Sequence, residues 1–126
     1  MKKIIFTKDA PSPIGPYNQA VLSGNTLYIS GQIAIDQKTG ELIIDSITQE
    51  TQLVMENLKA VLKEAGMTFE NVIKSTIFIS DMNNFSEINN VYASYFNEDT
   101  APARETVEVS RLPKSVNIEI SMIASF

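Results

Sequence analysis

The sequence predicts an α+β sandwich in which two helices cover one face of a six-stranded mixed sheet, in the order β-β-β-α-β-α-β-β. Residues 47–65 and 85–97 carry apolar side chains at helical spacing. The other apolar segments are short, several of them alternate, and turn residues separate them. The chain has 126 residues, of which 44% are hydrophobic and 20% charged. These values are typical of one globular domain, so we expect a single domain over residues 1–126.

The first half of the chain contains three predicted strands and the first helix. Residues 4–7 (IIFT) form a short strand, and "QAVLS" and "TLYISG" flank Gly24–Asn25 as a hairpin. The apolar stripe then predicts a helix from Ile47 to Ala65, and Ser46-x-x-Gln49 fits a capping box at its start.

The second half contains one strand, the second helix and two final strands. "NVIKSTIFIS" alternates, with Ile77 and Ile79 on one face and Thr76 and Phe78 on the other. A helix over residues 85–97 follows, and "RETVEVS" and "VNIEISMIAS" end the chain as strands.

Two helices can cover only one face of such a sheet, and the last two strands predict what each face holds. The apolar set is expected beneath the helices: Val107, Val109, Val116, Ile118, Ile120 and Met122. The opposite face is expected to hold Arg104, Thr106, Glu108, Ser110, Asn117, Glu119, Ser121 and Ile123. That face is too apolar for a solvated surface and too polar for a dry core. We therefore predict a homo-oligomer with a polar site in its interface.

Composition limits the chemistry that the chain can perform. Cys and His are absent, which removes thiol nucleophiles, Cys/His zinc sites and imidazole bases. A net charge of −5 disfavours nucleic-acid binding. No apolar run approaches the roughly 18 residues of a membrane span. The apolar stretch Ile4–Phe6 is too short for a secretory signal, so we expect a cytoplasmic protein.

Arg104 and Glu119 are the charged residues most able to carry chemistry. Arg104, one of two arginines, follows Pro102–Ala103 at a strand entrance and can clamp a carboxylate or close a structural salt bridge. Glu119 stands in mid-strand and can act as a base on water or pair with Arg104. Pattern alone leaves both alternatives open and does not separate Glu119 from Glu108.

Several neutral residues are secondary candidates, each with an ordinary alternative. Gly31, after Ser30, permits close approach of a ligand to the backbone or marks a bulge. Asn89 lies out of phase with the apolar stripe of its helix, which simple exposure explains. Tyr17 follows three prolines in "APSPIGPYNQA" and is either a donor at the mouth of a site or an ordinary half-buried aromatic. No phosphate-binding glycine motif or metal-spaced carboxylate pair is present, so no metal is expected.

The motifs "IGPYNQA", "LYISGQIAID", "NVIKSTIFISDMNNF", "INNVYASYF" and "APARETVEVSRLPKSVNIEISMIA" together resemble the Rid family of reactive intermediate deaminases. The resemblance covers nearly the whole chain and is closest to the 2-iminobutanoate/2-iminopropanoate deaminases. It implies a chorismate-mutase-like fold and a homotrimer with sites between subunits. It also implies hydrolysis of 2-imino acids, or of 2-aminoacrylate-type enamines, to 2-oxo acids and ammonia, with no cofactor.

The resemblance also implies roles for individual residues. Arg104 of "PAR" would hold the substrate carboxylate, and Glu119 of "NIEI" would position the attacking water. Tyr17 of "GPY" would close the pocket from the neighbouring subunit. The residues implied to line the pocket are Ser30, Gly31, Asn89 and Thr106.

The chain departs from the family pattern at a few positions. Asn18 stands where Ser is frequent, and Glu105–Thr106 stands where Ser–Cys is frequent. The missing thiol leaves deamination possible, since the mechanism needs no sulfur, but excludes a redox switch there. Glu105 places a charge one residue from the carboxylate clamp and so bears on substrate preference.

Two other functions compete with deamination. One is a trimeric 2-oxo-acid-binding or chaperone-like module without catalysis. The other is an endoribonuclease or translation inhibitor, a label that some family members carry. The acidic balance and the absence of His oppose the second.

Overall fold

The computed structural model describes residues 1–126 and contains one six-stranded sheet with two α-helices on one face. The strands are β1 (Lys2–Ile5), β2 (Ala20–Ser23), β3 (Thr26–Gln32), β4 (Val72–Ile79), β5 (Ala103–Glu108) and β6 (Ile118–Ser125). The helices are α1 (Ile47–Glu64) and α2 (Phe85–Ala93). Short 3-10 turns occupy Phe69–Asn71, Met82–Asn84, Glu98–Thr100 and Pro113–Ser115.

The strand order across the sheet is β1-β2-β3-β6-β4-β5. All neighbours are antiparallel except β4 and β5, which run parallel, so the predicted mixed sheet and element order are confirmed. Strand β5 lies at one edge and has a hydrogen-bonded partner on one side only.

The core lies between the sheet and the helices. Val54, Leu58 and Leu62 of α1 are fully buried at four-residue spacing, as expected for one helical face. From the sheet they meet Ile118 and Ile120 of β6, also fully buried. The prediction that the alternate apolar residues of β6 lie beneath the helices is confirmed.

The element ends differ from the predicted ones by a few residues. Helix α1 begins as predicted, with Ser46 Oγ accepting a hydrogen bond from the Gln49 N–H, and ends at Glu64. Helix α2 ends at Ala93 instead of residue 97. The aromatic pair after it, Tyr95 and Phe96, leaves the helical stripe and packs edge-on against Phe69, with ring centroids 5.3 Å apart in both pairs.

The first strand spans residues 2–5 instead of 4–7 because Thr7 has another partner. The Thr7 N–H donates to Oε1 of Gln19 at 2.7 Å. The buried Gln19 amide in turn donates to the carbonyls of Thr7, Ala10 and Pro11. One side chain therefore fixes the proline-rich segment against the sheet.

The predicted faces of β5 are wrong. Arg104 is in register with Ser75, which is fully buried beneath the helices, and partners in a parallel ladder share a face. Arg104, Thr106 and Glu108 therefore lie on the helix face. Val107 points to the other side and is 42% exposed. Alternation misled because β5 is an edge strand that the helices hardly cover, so its valines are not selected by burial.

The face opposite the helices, called the open face below, has no second layer. It carries Tyr28, Thr76, Val107, Glu119 and Ile123. Tyr28 is 51% exposed. None of the helices combines the length and the apolar character that a membrane crossing needs.

Candidate functional site

An open cavity of about 530 Å³ lies beside the open face, where β3 and β6 meet the proline-rich segment. Four predicted site residues line it, and we call them the Glu119 half-site: Tyr17, Ser30, Gly31 and Glu119. The structure thus brings together residues that are up to 102 positions apart in sequence.

Gly31 and Glu119 are fitted to each other. The β3–β6 register shifts between Ile29 and Gln32, so Gly31 lies in an irregular stretch of the ladder. A Cβ on Gly31 would stand 2.7 Å from Cδ of Glu119, closer than real Cβ atoms approach. The register shift supports the bulge alternative for Gly31, while the approach of a ligand there stays a prediction; the group that lies against the glycine is the Glu119 carboxyl.

The Glu119 carboxyl has no hydrogen-bond or ion-pair partner within the chain, whose only ion pair joins Lys74 and Glu105 at 3.2 Å. Burial raises its pKa above the ordinary value, because the charged form loses hydration without gaining a partner. A carboxylate in this state is a stronger base than one in water, so it suits proton abstraction from water.

Tyr17 and Ser30 are held by backbone contacts. The Tyr17 N–H donates to the Gly15 carbonyl at 2.9 Å, and the phenol ring is half-exposed at the cavity. Ser30 Oγ donates to the Asn18 carbonyl at 2.6 Å, and the Ser30 N–H donates to the Gln19 carbonyl at 2.9 Å. Ser30 therefore ties the Tyr17 segment to β3.

A second open cavity, of about 720 Å³, lies on the helix face between α2 and the start of β5. Asn89 and Arg104 line it and form what we call the Arg104 half-site. Arg104 Nη1 donates to Asn89 Oδ1 at 2.6 Å, and no carboxylate pairs with the guanidinium. The structural salt bridge considered for Arg104 is absent, and Asn89 is a partner of Arg104 and more than a surface residue.

Thr106 and Glu108 share the strand face of Arg104. Thr106 does not line the cavity, but its Oγ1 is buried and has no hydrogen-bond partner. Glu108 Oε1 accepts from the Met82 N–H at 2.7 Å, so it caps a turn. The structure therefore distinguishes Glu108, which caps a turn on the helix face, from Glu119 on the open face. Alternation along the strands could not make this distinction.

Sequence reasoning missed two residues near these cavities. Tyr92 lines the Arg104 cavity, but its helical spacing is that of an ordinary core residue. Lys114 lines the Glu119 cavity, and both it and Ser115 have φ of 55°, a left-handed conformation that is uncommon outside glycine. In the sequence, the only sign of an irregular turn at these two residues is Pro113, which precedes them.

The two half-sites face away from each other. Glu119 is in register with Phe78, while Arg104 is in register with Ser75, and these two β4 residues lie on opposite faces of the sheet. One chain therefore does not place its own Arg104 beside its own Glu119, which excludes the alternative of a structural pair between them within one chain.

Comparison with known proteins agrees with this architecture. A family model described as Endoribonuclease L-PSP matches residues 7–126. A RutC family protein of Pyrococcus horikoshii is 56% identical over 98% of both chains. A 2-iminobutanoate/2-iminopropanoate deaminase of Bos taurus is 44% identical over 98% of this chain and 90% of its own length.

A solved structure extends the likeness to the backbone. The Rid family protein YyfA of Yersinia pestis is 48% identical, has a TM-score of 0.97, and is covered completely by this chain, as this chain is by it. Family match, identity and fold agree over nearly the full length, and the chain belongs to the Rid (RutC) family, whose family model carries the description Endoribonuclease L-PSP.

Proposed function

We propose that this protein is an imine deaminase that hydrolyses 2-imino acids, or their 2-aminoacrylate-type enamine tautomers, to 2-oxo acids and ammonia. The observation that carries the proposal is a pair of unneutralised charges. Arg104 has no carboxylate partner, and Glu119 has neither a cation nor a hydrogen-bond donor. The relatives named as 2-iminobutanoate/2-iminopropanoate deaminases, one of them 44% identical, support the same substrate class.

The complete site is proposed to form between subunits of a homotrimer. Because the two half-sites lie on opposite faces of one sheet, they can meet only if the Arg104 half-site of one subunit faces the Glu119 half-site of the next. The open face supports self-association, since an uncovered sheet bearing half-exposed Tyr28 and Val107 leaves apolar area that a second copy can bury.

The free N–H groups of Arg104 would hold the substrate carboxylate in a bidentate pair, which fixes the adjacent imine carbon. Glu119 would orient a water molecule and take one of its protons as the oxygen attacks that carbon. The carbon–nitrogen double bond becomes a single bond in the resulting carbinolamine. Glu119 then returns the proton to the carbinolamine nitrogen, and the carbon–nitrogen bond breaks as ammonia leaves. At the same time Glu119 takes the hydroxyl proton, so that the hydroxyl oxygen becomes the carbonyl, and then releases to solvent this last proton, which balances the one that the protonated imine carried. The sum is imino acid plus water to 2-oxo acid plus ammonia.

This chemistry suits a chain without Cys and His. A protonated imine is already electrophilic, so it needs positioning and a modest base more than a strong nucleophile. Orientation of reactants alone can contribute several kcal/mol to a barrier of this kind. A raised Glu119 pKa brings that base closer to the pH at which it works.

Subunit complementation tests the proposal. Arg104→Ala and Glu119→Gln are each expected to abolish the accelerated decay of 2-iminobutanoate generated in situ by a dehydratase. In co-expressed, differently tagged mixed trimers, a site is native when Arg104 comes from the Glu119→Gln chain and Glu119 from the Arg104→Ala chain. Every mixed trimer then holds one native site among its three, so mixed trimers isolated through both tags are expected to regain about one third of the wild-type activity.

The control is a mixture of the two variants, each purified as a homotrimer and combined without exchange of subunits, which stays inactive. Mixed trimers with no activity would contradict a site shared between subunits. Full activity of either single variant would contradict the role assigned to that residue.

A binding module would bind 2-oxo acids at the same residues but would leave imine decay at the rate measured in buffer. Ribonuclease activity has less support, because the chain has a net charge of −5 and lacks the histidine that commonly serves as the base. RNA cleavage that persisted through repeated purification of the wild type and was lost in Glu119→Gln would support ribonuclease activity.

A further inference from the structure

We propose that Tyr92 and Ser75 act as a positioning pair for Arg104: a hydrogen bond between them holds the Tyr92 ring under the guanidinium, which aims its free N–H groups at the substrate carboxylate. This inference rests on the proposed function, because it assigns a role to residues beneath the carboxylate clamp. Neither residue is expected to touch the substrate.

The hydrogen bond joins α2 to β4, the strand that pairs with β5. Tyr92 projects from α2, and its phenol donates to Ser75 Oγ of β4 at 2.9 Å. Ser75 is in register with Arg104 of β5. Ser75 is fully buried and Tyr92 is 4% exposed, so water does not compete for this bond. The pair therefore fixes the ring relative to the strand position from which Arg104 projects.

The guanidinium lies over aromatic faces. Cζ of Arg104 is 5.1 Å from the Tyr92 ring centroid and 5.7 Å from that of Phe85, both within the range of cation–π attraction. Asn89 adds one hydrogen bond, at 2.6 Å from Nη1. Two ring faces and one neutral acceptor thus hold the side chain, and its other N–H donors stay unused.

Neutral contacts matter for a clamp that must bind an anion. A carboxylate partner would fix the guanidinium equally well, but it would cancel the charge and occupy the donors that the substrate needs. The Tyr92 phenol does neither. Burial raises the pKa of Tyr92, and the Ser75 bond and the Arg104 charge oppose that rise less strongly, so the phenol stays neutral at neutral pH.

The experiment compares variants that differ by one group. Tyr92→Phe removes only the hydroxyl and keeps the ring, Ser75→Ala removes the acceptor, and Tyr92→Leu removes the ring. Tyr95→Phe is the matched control, since the Tyr95 phenol donates to Glu56 Oε2 at 2.8 Å at the exposed end of the same region and does not contact Arg104. Steady-state kinetics with 2-iminobutanoate are measured for each, beside wild type and Arg104→Ala.

We expect Tyr92→Phe and Ser75→Ala each to raise KM about five-fold, the weight of one hydrogen bond, with kcat changed far less. The double variant is expected to match the single ones, because both remove the same bond. Tyr92→Leu raises KM roughly ten-fold or more through loss of the ring. Tyr95→Phe leaves both constants unchanged.

A second measurement separates positioning from packing. Binding of 2-oxobutanoate is compared with binding of its methyl ester. The variants are expected to lose affinity for the acid and to keep that for the ester, which a general loosening of the fold would not produce. Tyr92→Phe and Ser75→Ala leave the core volume almost unchanged. If Tyr92→Leu does not fold, these two variants still distinguish positioning of Arg104 from packing.

Unchanged KM and acid affinity in Tyr92→Phe and Ser75→Ala, with Arg104→Ala inactive, would overturn this inference and leave the deaminase proposal intact. Equal losses of acid and ester affinity would also overturn it. Full activity of Arg104→Ala would instead contradict the role of Arg104 on which this inference rests, and a wild-type protein that did not accelerate imine decay would defeat the deaminase proposal itself.

Discussion

Arg104 and Glu119 lie on opposite faces of the same sheet, Arg104 in register with buried Ser75 and Glu119 in register with Phe78 on the open face. Neither charged group has a counter-ion within the chain. The two residues can cooperate only across an interface between copies. The following predictions concern groups near the two half-sites and on the open face, which the proposed trimer would bring together.

Replacement of Glu119 by Gln is expected to lower the deamination rate at least a hundred-fold, the usual weight of a general base. In the wild type, the rate should fall as the pH drops through the raised pKa of Glu119, because protonation removes the base. The pH–rate profile of 2-iminobutanoate hydrolysis measures both effects. If the residual activity of Glu119→Gln still fell at low pH in the same range, a group other than Glu119 would be responsible for that decrease.

The same substitution should stabilise the fold at neutral pH. The Glu119 pKa is higher in the folded chain than the ordinary 4.5, so the folded state binds more protons and loses stability as pH rises from 4.5 through that pKa. Gln does not ionise and escapes this loss. Thermal unfolding should give a higher Tm for Glu119→Gln at pH 7 and an equal Tm below pH 4.5. An equal Tm at pH 7 would contradict the assigned burial.

Gly31→Ala should impair the site because its Cβ would overlap the Glu119 carboxyl. Gly31 is the one glycine of the chain without a positive φ, so its backbone accepts alanine and steric conflict is the main effect. We expect a loss of about 1–3 kcal/mol of stability, as for overpacking, together with a loss of activity. Urea denaturation and the imine assay measure the two.

The double variant Gly31→Ala/Glu119→Ala provides the control. Truncation of Glu119 removes the overlapping atoms, so stability should return while activity stays absent. If the double variant were as unstable as Gly31→Ala alone, the stability loss would not come from overlap of the new methyl group with Glu119.

Glu50 is a fully buried carboxylate of α1 that supports the entrance to β6. Its oxygens accept from Asn117 N, Asn117 Nδ2 and Ile118 N at 2.8, 2.7 and 3.2 Å. Glu50→Gln replaces one acceptor by an amide that faces these donors, at a cost of about 1–3 kcal/mol. Because Ile118 precedes Glu119, we also expect slower deamination. The control is Glu64→Gln on the exposed end of α1, which should change neither urea stability nor rate.

Substitution of Tyr28 tests whether the open face forms the contact between subunits. It is 51% exposed, lies in register with Val21 and Ile123, and would be buried by a neighbouring subunit. Tyr28→Asp places a charge in that contact and is expected to shift the proposed trimer to monomer in light scattering, with loss of activity. Ile44→Asp, at a half-exposed position in the segment between β3 and α1, is the matched control. A trimer that survived Tyr28→Asp would place the interface elsewhere.

Local patterns in the sequence determined the elements of this protein and most of their faces. The stripe of α1, the cap at Ser46 and the alternation of β6 follow from burial and hydrogen bonding that act within one segment. The motifs around Tyr17, Arg104 and Glu119 identified the family, and the absence of Cys and His narrowed the chemistry.

Only the tertiary structure decided which face of the sheet each charged residue occupies. Strand β5 is an edge strand, so its alternation carries no burial signal, and its face is set by the parallel register with β4. Contacts between distant segments, such as Gly31 with Glu119 and Tyr92 with Ser75, also leave no trace in local spacing. The site depends on such contacts because it places unneutralised charges where the fold, and not the local sequence, controls their surroundings.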